Sequence, residues 1–120
     1  MATSAKLKAG DAFPDISATL ADGTSVKLGE PLGDAIWQAV FVYRGRHCPL
    51  CTKYLNELEG YQAAFLEAGV EILAVSADSK PQLEAHRKKL TVSFPLAYGL
   101  TEEQMKTLGL YISLPRSEQE

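Results

Sequence analysis

Two stretches of the chain are almost continuous in apolar and β-favouring side chains. Residues 35–43 read AIWQAVFVY, and residues 70–77 read VEILAVSA. Runs of this kind and length are typical of strands that are covered on both faces. We therefore predict two buried central strands, and we expect Trp37, in the first of them, to belong to the core.

Helical periodicity follows the first of these strands. Apolar side chains recur at every third or fourth position up to Ala68, and Gly69 supplies a typical helix end. Pro49 stands in the first helical turn, where proline is well tolerated. The pattern predicts a single helix of roughly five turns.

Two further helices are predicted by capping boxes, in which a hydroxyl residue is followed three positions later by glutamine: Ser79 with Gln82, and Thr101 with Gln104. The first helix is expected to run to about residue 90 and the second to residue 109. Asp78, just before the first box, is explained equally well by capping and by a functional position at the end of a strand.

The remaining segments complete an alternating pattern. Residues 16–28 contain Asp22-Gly23 between two short apolar runs, which is a hairpin signal. Residues 94–98 and 110–114 are short extended pieces, and residues 115–120 form a polar tail. The order hairpin, β, α, β, α, β, α predicts an α/β fold, layered around a central sheet, as a single domain over residues 1–120.

Charge and composition argue against several classes of function. The formal net charge of −3 argues against a nucleic-acid binder, and the one basic run, residues 87–89, is expected to be a solvated helix face. The first thirteen residues lack the apolar core of a signal peptide, and no stretch approaches the ~20 apolar residues of a membrane span. We expect a cytoplasmic protein without nucleic-acid or membrane partners, where paired thiols are more often catalytic or metal-binding than structural.

Both cysteines of the chain stand in one short motif, RGRHCPLC. Cys48 lies where the predicted strand gives way to a helix, so unpaired backbone N–H groups and the helix dipole favour its thiolate. Arg44, Arg46 and His47 add positive charge nearby. Cys51 lies one turn further on, near enough to condense with an oxidised Cys48. The motif therefore predicts an ionised sulfur at Cys48 that solvent can reach.

Three other interpretations of the cysteine pair remain open. A disulfide staple would close so short a loop that it contributes only about 2 kcal/mol. A zinc site would need two more ligands, and the only histidines are His47, beside Cys48, and His86, for which a surface or packing role in mid-helix is expected. The cysteines could also be two unrelated buried side chains. We favour redox chemistry, with no metal and no organic cofactor.

Several segments together resemble a known family. VFVYRGRHCPLC before a helix, then VEILAVSADS and FPLAYGL, with GDAFPDISATLADGTSVKL upstream, resemble the alkyl hydroperoxide reductase/thiol-specific antioxidant (AhpC/TSA) group. The likeness is greatest to peroxiredoxin-like members bearing Arg-Gly-x-x-Cys-Pro-x-Cys, and it covers about residues 7–114. It implies a thioredoxin-like fold with a central mixed sheet and an N-terminal β-hairpin, and a thiol-dependent peroxidase or related oxidoreductase.

The resemblance also implies roles for individual residues. Cys48 matches the peroxidatic cysteine that reduces a peroxide, and Cys51 would then resolve the oxidised Cys48 before an external thiol restores both. Arg44 and Arg46 are the candidates for holding the thiolate and the developing oxyanion. The candidate substrate-binding residues are Tyr43, His47 and Pro49.

The chain departs from the family pattern in two ways. Typical members read Pro-x-x-x-Thr/Ser-x-x-Cys, whereas Phe41 and Gly45 stand here in the proline and hydroxyl positions. Members usually also continue with another β-hairpin and a C-terminal helix, so we expect a shortened sheet with an exposed edge. Either the gene product is truncated, or a second copy in a homodimer covers that edge. Two alternative functions therefore stay open: a thioredoxin-like reductase of protein disulfides, and a redox-inactive interaction domain.

Overall fold

The computed structural model describes residues 2–3 and 7–112, with side chains for residues 7–110. Seven strands and four helices lie in this part of the chain, in the order β1 (Ala2–Thr3), β2 (Ser17–Leu20), β3 (Ser25–Lys27), β4 (Trp37–Val42), α1 (Pro49–Glu59), α2 (Gln62–Glu67), β5 (Val70–Val75), α3 (Lys80–Arg87), β6 (Leu96–Tyr98), α4 (Glu102–Thr107) and β7 (Tyr111–Ile112).

Five of the strands form one mixed sheet in the order β3-β2-β6-β5-β4. The pairs β4–β5 and β5–β6 are parallel, whereas β2 is antiparallel to both β3 and β6. β1 and β7 form a separate two-stranded ribbon. The predicted central mixed sheet is confirmed, and β5 lies inside it with residues Ile72 to Val75 fully buried. The polar tail, residues 115–120, lies outside the described residues.

The predicted N-terminal hairpin is confirmed as β2 and β3. Its turn contains Gly23 with a φ of +93°, a left-handed conformation that glycine adopts at little cost. The backbone N–H of Thr24 donates to the Asp22 carboxylate at 2.9 Å, which is the expected local bond of an aspartate in a turn.

Both capping boxes are present at α3 and α4, with each hydroxyl and each glutamine bonded reciprocally. The prediction of one long helix after the cysteines is wrong, because α1 ends at Glu59 and α2 begins at Gln62. Gly60 interrupts the run: its N–H and that of Tyr61 turn to carbonyls three residues back. Glycine has a low helix propensity, and the prediction from apolar spacing did not take the glycine at position 60 into account.

β4 is not the buried central strand that its sequence indicates. It is the last strand of the sheet and has only β5 as a neighbour among the described strands. Trp37 is 67% exposed and Ile36 76% exposed, so the expectation that Trp37 belongs to the core is wrong. The apolar content of a strand predicts a surface suited to burial, but which strand ends at the edge depends on how the whole sheet is ordered.

A polar clip joins β4 to β5 at the start of the two strands. Gln38 and Glu71 are direct partners in the parallel register, and the Gln38 amide donates to the Glu71 carboxylate at 2.8 Å. The same carboxylate accepts the backbone N–H groups of Leu32 at 2.6 Å and Gly33 at 3.2 Å. The clip therefore fixes the turn that leads into β4.

Apolar side chains cover both faces of the sheet. Leu73 and Val75 face one cluster with the hairpin and Leu100, whereas Ile72 and Ala74 face another with α1, Leu83 and Phe94. The basic residues 87–89 are exposed at the end of α3, as a solvated helix face would be. Within the described residues, no helix is long and apolar enough to cross a membrane.

Candidate active site

Cys48 is the N-cap residue of α1, at the point where the chain leaves β4. Its backbone is extended, with φ −106° and ψ 102°, and its sulfur accepts the backbone N–H of Cys51 at 3.3 Å. Pro49, a predicted substrate contact, occupies the first helical position, where its missing N–H has no cost. The helix start thus places an otherwise orphaned N–H group on the Cys48 sulfur.

The two cysteines have opposite shifts in pKa. Burial by itself raises the pKa of Cys48, but hydrogen bonds from the thiol and N–H of Cys51, the charge of Arg44 and the N–H of Leu50 outweigh it and lower the pKa. The pKa of Cys51 is raised, first by burial and then by its bond to the Cys48 sulfur. The favoured anion is therefore Cys48, and Cys51 keeps the proton.

The access to the two sulfurs also differs. Cys48 is only 6% exposed, so the expectation of a sulfur open to solvent is wrong. Cys51 is half-buried and lines a cavity of about 650 Å³ between β4, α1 and α4. The cavity walls are mostly apolar, and Arg44 and Glu57 are their charged members. The walls are completed by Phe41, Val42, Tyr43, Tyr54, Leu55, Leu58, Tyr61, Ala77, Met105 and Leu110.

The other predicted site residues divide into two groups. Arg44 and Tyr43 line the cavity, and Arg44 is the arginine whose charge acts on Cys48. Arg46 is exposed and His47 half-buried, and neither lines the cavity. The structure therefore brings Tyr43 and Arg44 together with the cysteines, and leaves Arg46 and His47 at the rim of the turn.

The buried carboxylate of Asp78 is hydrogen-bonded to the backbone of this turn. Asp78 follows β5, is 5% exposed, and accepts the backbone N–H of Arg46 at 2.8 Å. Gly45 has a φ of +130°, and a Cβ added there would lie 2.5 Å from the Asp78 carboxylate. Asp78 is thus a clamp for the loop, and Gly45, which stands in the family's hydroxyl position, is the residue that lets it approach.

A second polar contact lies behind the first turn of α1. His86 is almost fully buried, and its Nε2 lies 2.7 Å from the hydroxyl of Thr52, which also lies 3.4 Å from the Cys48 carbonyl. Among the described residues, the His86 Nδ1 and the Tyr43 hydroxyl have no hydrogen-bond partner, although Ser76 lies near the hydroxyl. Burial is the main cause that lowers the pKa of His86 and raises that of Tyr43.

His86 has the packing role that was one of the two expected for it, and it is also bonded to Thr52. The helical spacing of Leu83 and His86 placed both on one face and could have indicated burial. Nothing local in the sequence indicates the Thr52 contact, because the two residues are 34 positions apart.

Comparison with known proteins assigns the chain to a family. The model of the AhpC/TSA family matches residues 9–118. The 1-Cys peroxiredoxin B of Oryza sativa subsp. indica is 28% identical over 111 residues, covering 87% of this chain and 50% of that protein. The chain therefore spans about half the length of the curated relatives that it matches first.

Two solved structures are similar in fold. The bacterioferritin comigratory protein of Xanthomonas campestris, described with alkyl peroxide reduction activity, is 26% identical with a TM-score of 0.57, covering 68% of this chain and 51% of that one. Peroxidoxin BcpB of Mycobacterium tuberculosis is 21% identical with a TM-score of 0.75, covering 88% and 68%. The mixed sheet with its N-terminal hairpin is thus the thioredoxin-like fold of the peroxiredoxins, and the chain belongs to the AhpC/TSA family.

Proposed function

We propose that this chain is a thiol-dependent peroxidase in which the Cys48 thiolate reduces a peroxide and Cys51 resolves the product. The observation that carries the proposal is the lowered pKa of Cys48 at the start of α1, with Cys51 one turn away and bonded to its sulfur. An anionic sulfur is the nucleophile in this chemistry, because the thiol reacts far more slowly.

The first step breaks the O–O bond of the peroxide. The Cys48 sulfur attacks one oxygen and becomes a sulfenic acid, and the other oxygen leaves as an alkoxide, or as hydroxide from hydrogen peroxide, and takes up a proton. The peroxide thus gains two electrons and the sulfur loses two. Arg44 is the proposed partner of the developing oxyanion, because its charge already acts on Cys48 and it lines the cavity.

The second step regenerates the site. The Cys51 sulfur attacks the sulfenic sulfur, an S–S bond forms between the two cysteines, and water leaves. Two thiols of an external reductant then reduce that disulfide by exchange. The cycle needs a compartment with a steady supply of thiols, and we propose the cytoplasm. Tyr43 is proposed as a cavity wall beside the substrate. Arg46, His47 and Pro49 are proposed to act through the shape of the turn.

The burial of Cys48 favours a peroxide over a protein disulfide as its substrate, because a disulfide must bring two sulfur substituents in line with the attacking atom. The disulfide reductase remains the second candidate, since Cys51 borders an apolar cavity that a peptide segment could enter. A redox-inactive domain is the third.

One experiment separates these functions. Reduced protein is mixed in a stopped-flow instrument with hydrogen peroxide and, separately, with a small disulfide, and thiol loss is followed. Fast loss with peroxide alone supports the peroxidase, fast loss with the disulfide alone supports the reductase, and slow reaction with both supports the inactive domain. Cys48→Ser should abolish the fast phase, whereas Cys51→Ser should keep one oxidation step and accumulate sulfenic acid. The opposite assignment of the two variants contradicts the proposed roles.

A further inference from the structure

Two polar side chains on one face of α1 bond α3 and the loop that follows it. Thr52 and Asn56 are four positions apart, so they lie one above the other on the helix. The Asn56 amide donates to the Lys89 carbonyl at 3.1 Å, and its oxygen accepts the N–H of Thr91 at 2.8 Å. The Thr52 hydroxyl lies 2.7 Å from Nε2 of His86. Both side chains therefore fasten α1, and they differ in how close they lie to the cysteine turn.

Thr52 is also bonded to the backbone of Cys48. The Cys48 carbonyl accepts the Thr52 N–H at 3.2 Å and the Thr52 hydroxyl at 3.4 Å, and the Cys48 N–H donates to the Gly45 carbonyl at 3.2 Å. These bonds hold Cys48 in its extended conformation, and the backbone conformation limits the directions that a side chain can take. The contact of 3.3 Å between the Cys48 sulfur and the Cys51 N–H therefore depends on them.

The direction of the hydrogen bonds follows from counting protons. The Thr52 hydroxyl has one proton, and the Cys48 carbonyl can only accept, so that contact uses the proton. His86 must then donate to the Thr52 oxygen from Nε2. The other tautomer would place an N–H on Nδ1, which has no partner among the described residues, and a buried donor without an acceptor is costly. Burial lowers the pKa of His86, which favours the neutral ring that this assignment needs.

We propose that Thr52 and His86 are positioning residues for Cys48: His86 donates to Thr52, and Thr52 donates to the Cys48 carbonyl and so holds the sulfur at the start of α1. The consequence for catalysis rests on the proposed peroxidase function, in which Cys48 is the nucleophile. The positioning itself is tested by alkylation of the sulfur, so its outcome is separate from the outcome with peroxide.

The first test measures the rate at which iodoacetamide alkylates Cys48 at pH 7. Fragmentation of the labelled peptide separates this reaction from that of Cys51. Thr52→Val keeps the shape of the side chain and removes its hydroxyl, and it should slow the alkylation roughly 5-fold, the size of one hydrogen bond. Thr52→Ser keeps the hydroxyl and should retain most of the native rate. An unchanged rate in Thr52→Val overturns the proposal.

A double variant separates positioning from stability. Thr52→Val leaves the buried Nε2 donor of His86 without its acceptor, so it should also lower the free energy of unfolding. Thr52→Val/His86→Leu replaces both polar groups with apolar ones, and it should recover much of that stability. The alkylation of Cys48 should nevertheless stay slow in the double variant. Recovery of the native alkylation rate together with the stability would mean that the pair contributes packing only.

Asn56→Ala is the matched control, because Asn56 fastens α1 to the same segment without touching Cys48. It should lower the free energy of unfolding and leave the alkylation rate of Cys48 at the native value. A slowing as large as that of Thr52→Val would show that any loosening of α1 disturbs the sulfur, and it would contradict a specific role for Thr52 and His86.

The proposed tautomer has its own measurement. The ring nitrogen chemical shifts of His86, recorded by NMR at pH 8 and assigned with His86→Leu, should show the proton on Nε2. A proton on Nδ1 overturns the proposed direction of the bonds. His86→Gln keeps an N–H donor on its side chain, so it should retain more of the native Cys48 alkylation rate than His86→Leu does. The reverse order of these two variants contradicts the proposal.

Discussion

The cysteine turn has two unlike sides. Behind it, Asp78, Thr52 and His86 are polar groups bonded to the loop backbone or to one another in a buried setting. In front of it, Cys51, Tyr54 and the other cavity walls are mostly apolar and leave about 650 Å³ open. The buried side fixes the backbone of the turn that carries Cys48, and the open side borders Cys51. Substitutions on the two sides should therefore differ in kind, in stability on one and in substrate binding on the other.

Gly45→Ala is expected to have the largest effect on the buried side. The new methyl group would collide with the Asp78 carboxylate, and alanine would also be strained at a φ of +130°. Together these should lower the free energy of unfolding by about 3 kcal/mol. Chemical denaturation measures the loss.

Gly23→Ala is the matched control for Gly45→Ala, because Gly23 also has a positive φ but no atom of the described residues within 4 Å of the added Cβ. It carries the backbone strain without the collision. A loss as large for Gly23→Ala as for Gly45→Ala would show that the Asp78 clamp contributes nothing.

Arg44→Met tests the residue that lines the cavity and whose charge also acts on Cys48. Removing its charge should raise the pKa of Cys48, so that the rate of peroxide reaction reaches its plateau at higher pH and falls roughly 10-fold at neutral pH. Ultraviolet absorbance of the thiolate against pH measures the pKa directly. Arg46→Met is the control, since Arg46 is not among the charges that act on Cys48, and it should leave the titration in place. Equal shifts for both variants contradict a special role for Arg44.

His86 should make the buried side sensitive to acid. Its pKa is lowered in the folded protein, mainly by burial, so the unfolded chain binds the proton more readily. Its contribution to stability is complete above the unfolded pKa of about 6.5 and is lost as the pH falls below that value. The free energy of unfolding should decline as the pH falls below about 6.5 in the native protein, and it should decline less in His86→Leu. An equal decline in both would assign the acid sensitivity to other groups.

Tyr54→Ser, on the open side, should have the smallest effect on stability. Tyr54 is exposed and lines the cavity, so its loss should change the free energy of unfolding by less than about 0.5 kcal/mol. The KM for a bulky apolar hydroperoxide should rise, while that for hydrogen peroxide stays the same. If both KM values rise alike, the cavity is not a binding surface for the apolar part of a substrate.

The sequence predicted what depends on neighbouring residues. The Asp22-Gly23 turn, both capping boxes and the position of Cys48 at a strand-to-helix junction are local signals, and all are present. The sequence misplaced Trp37 and missed the Thr52–His86 contact, because sheet order and long-range packing decide them. The expected solvent access of the Cys48 sulfur was also wrong, since the residue is only 6% exposed.

The clip between Gln38 and Glu71 has a consequence for how the sheet is assembled. β4 and β5 are otherwise almost uniformly apolar, and uniform strands can slide past one another with little change in burial. A slip of two residues would preserve the faces but separate this amide from its carboxylate and strip the Leu32 and Gly33 N–H groups of their acceptor. This hydrophilic pair therefore fixes the register of β4 against β5. Because β4 leads to the cysteine turn, the same register sets the position of Cys48 at the start of α1.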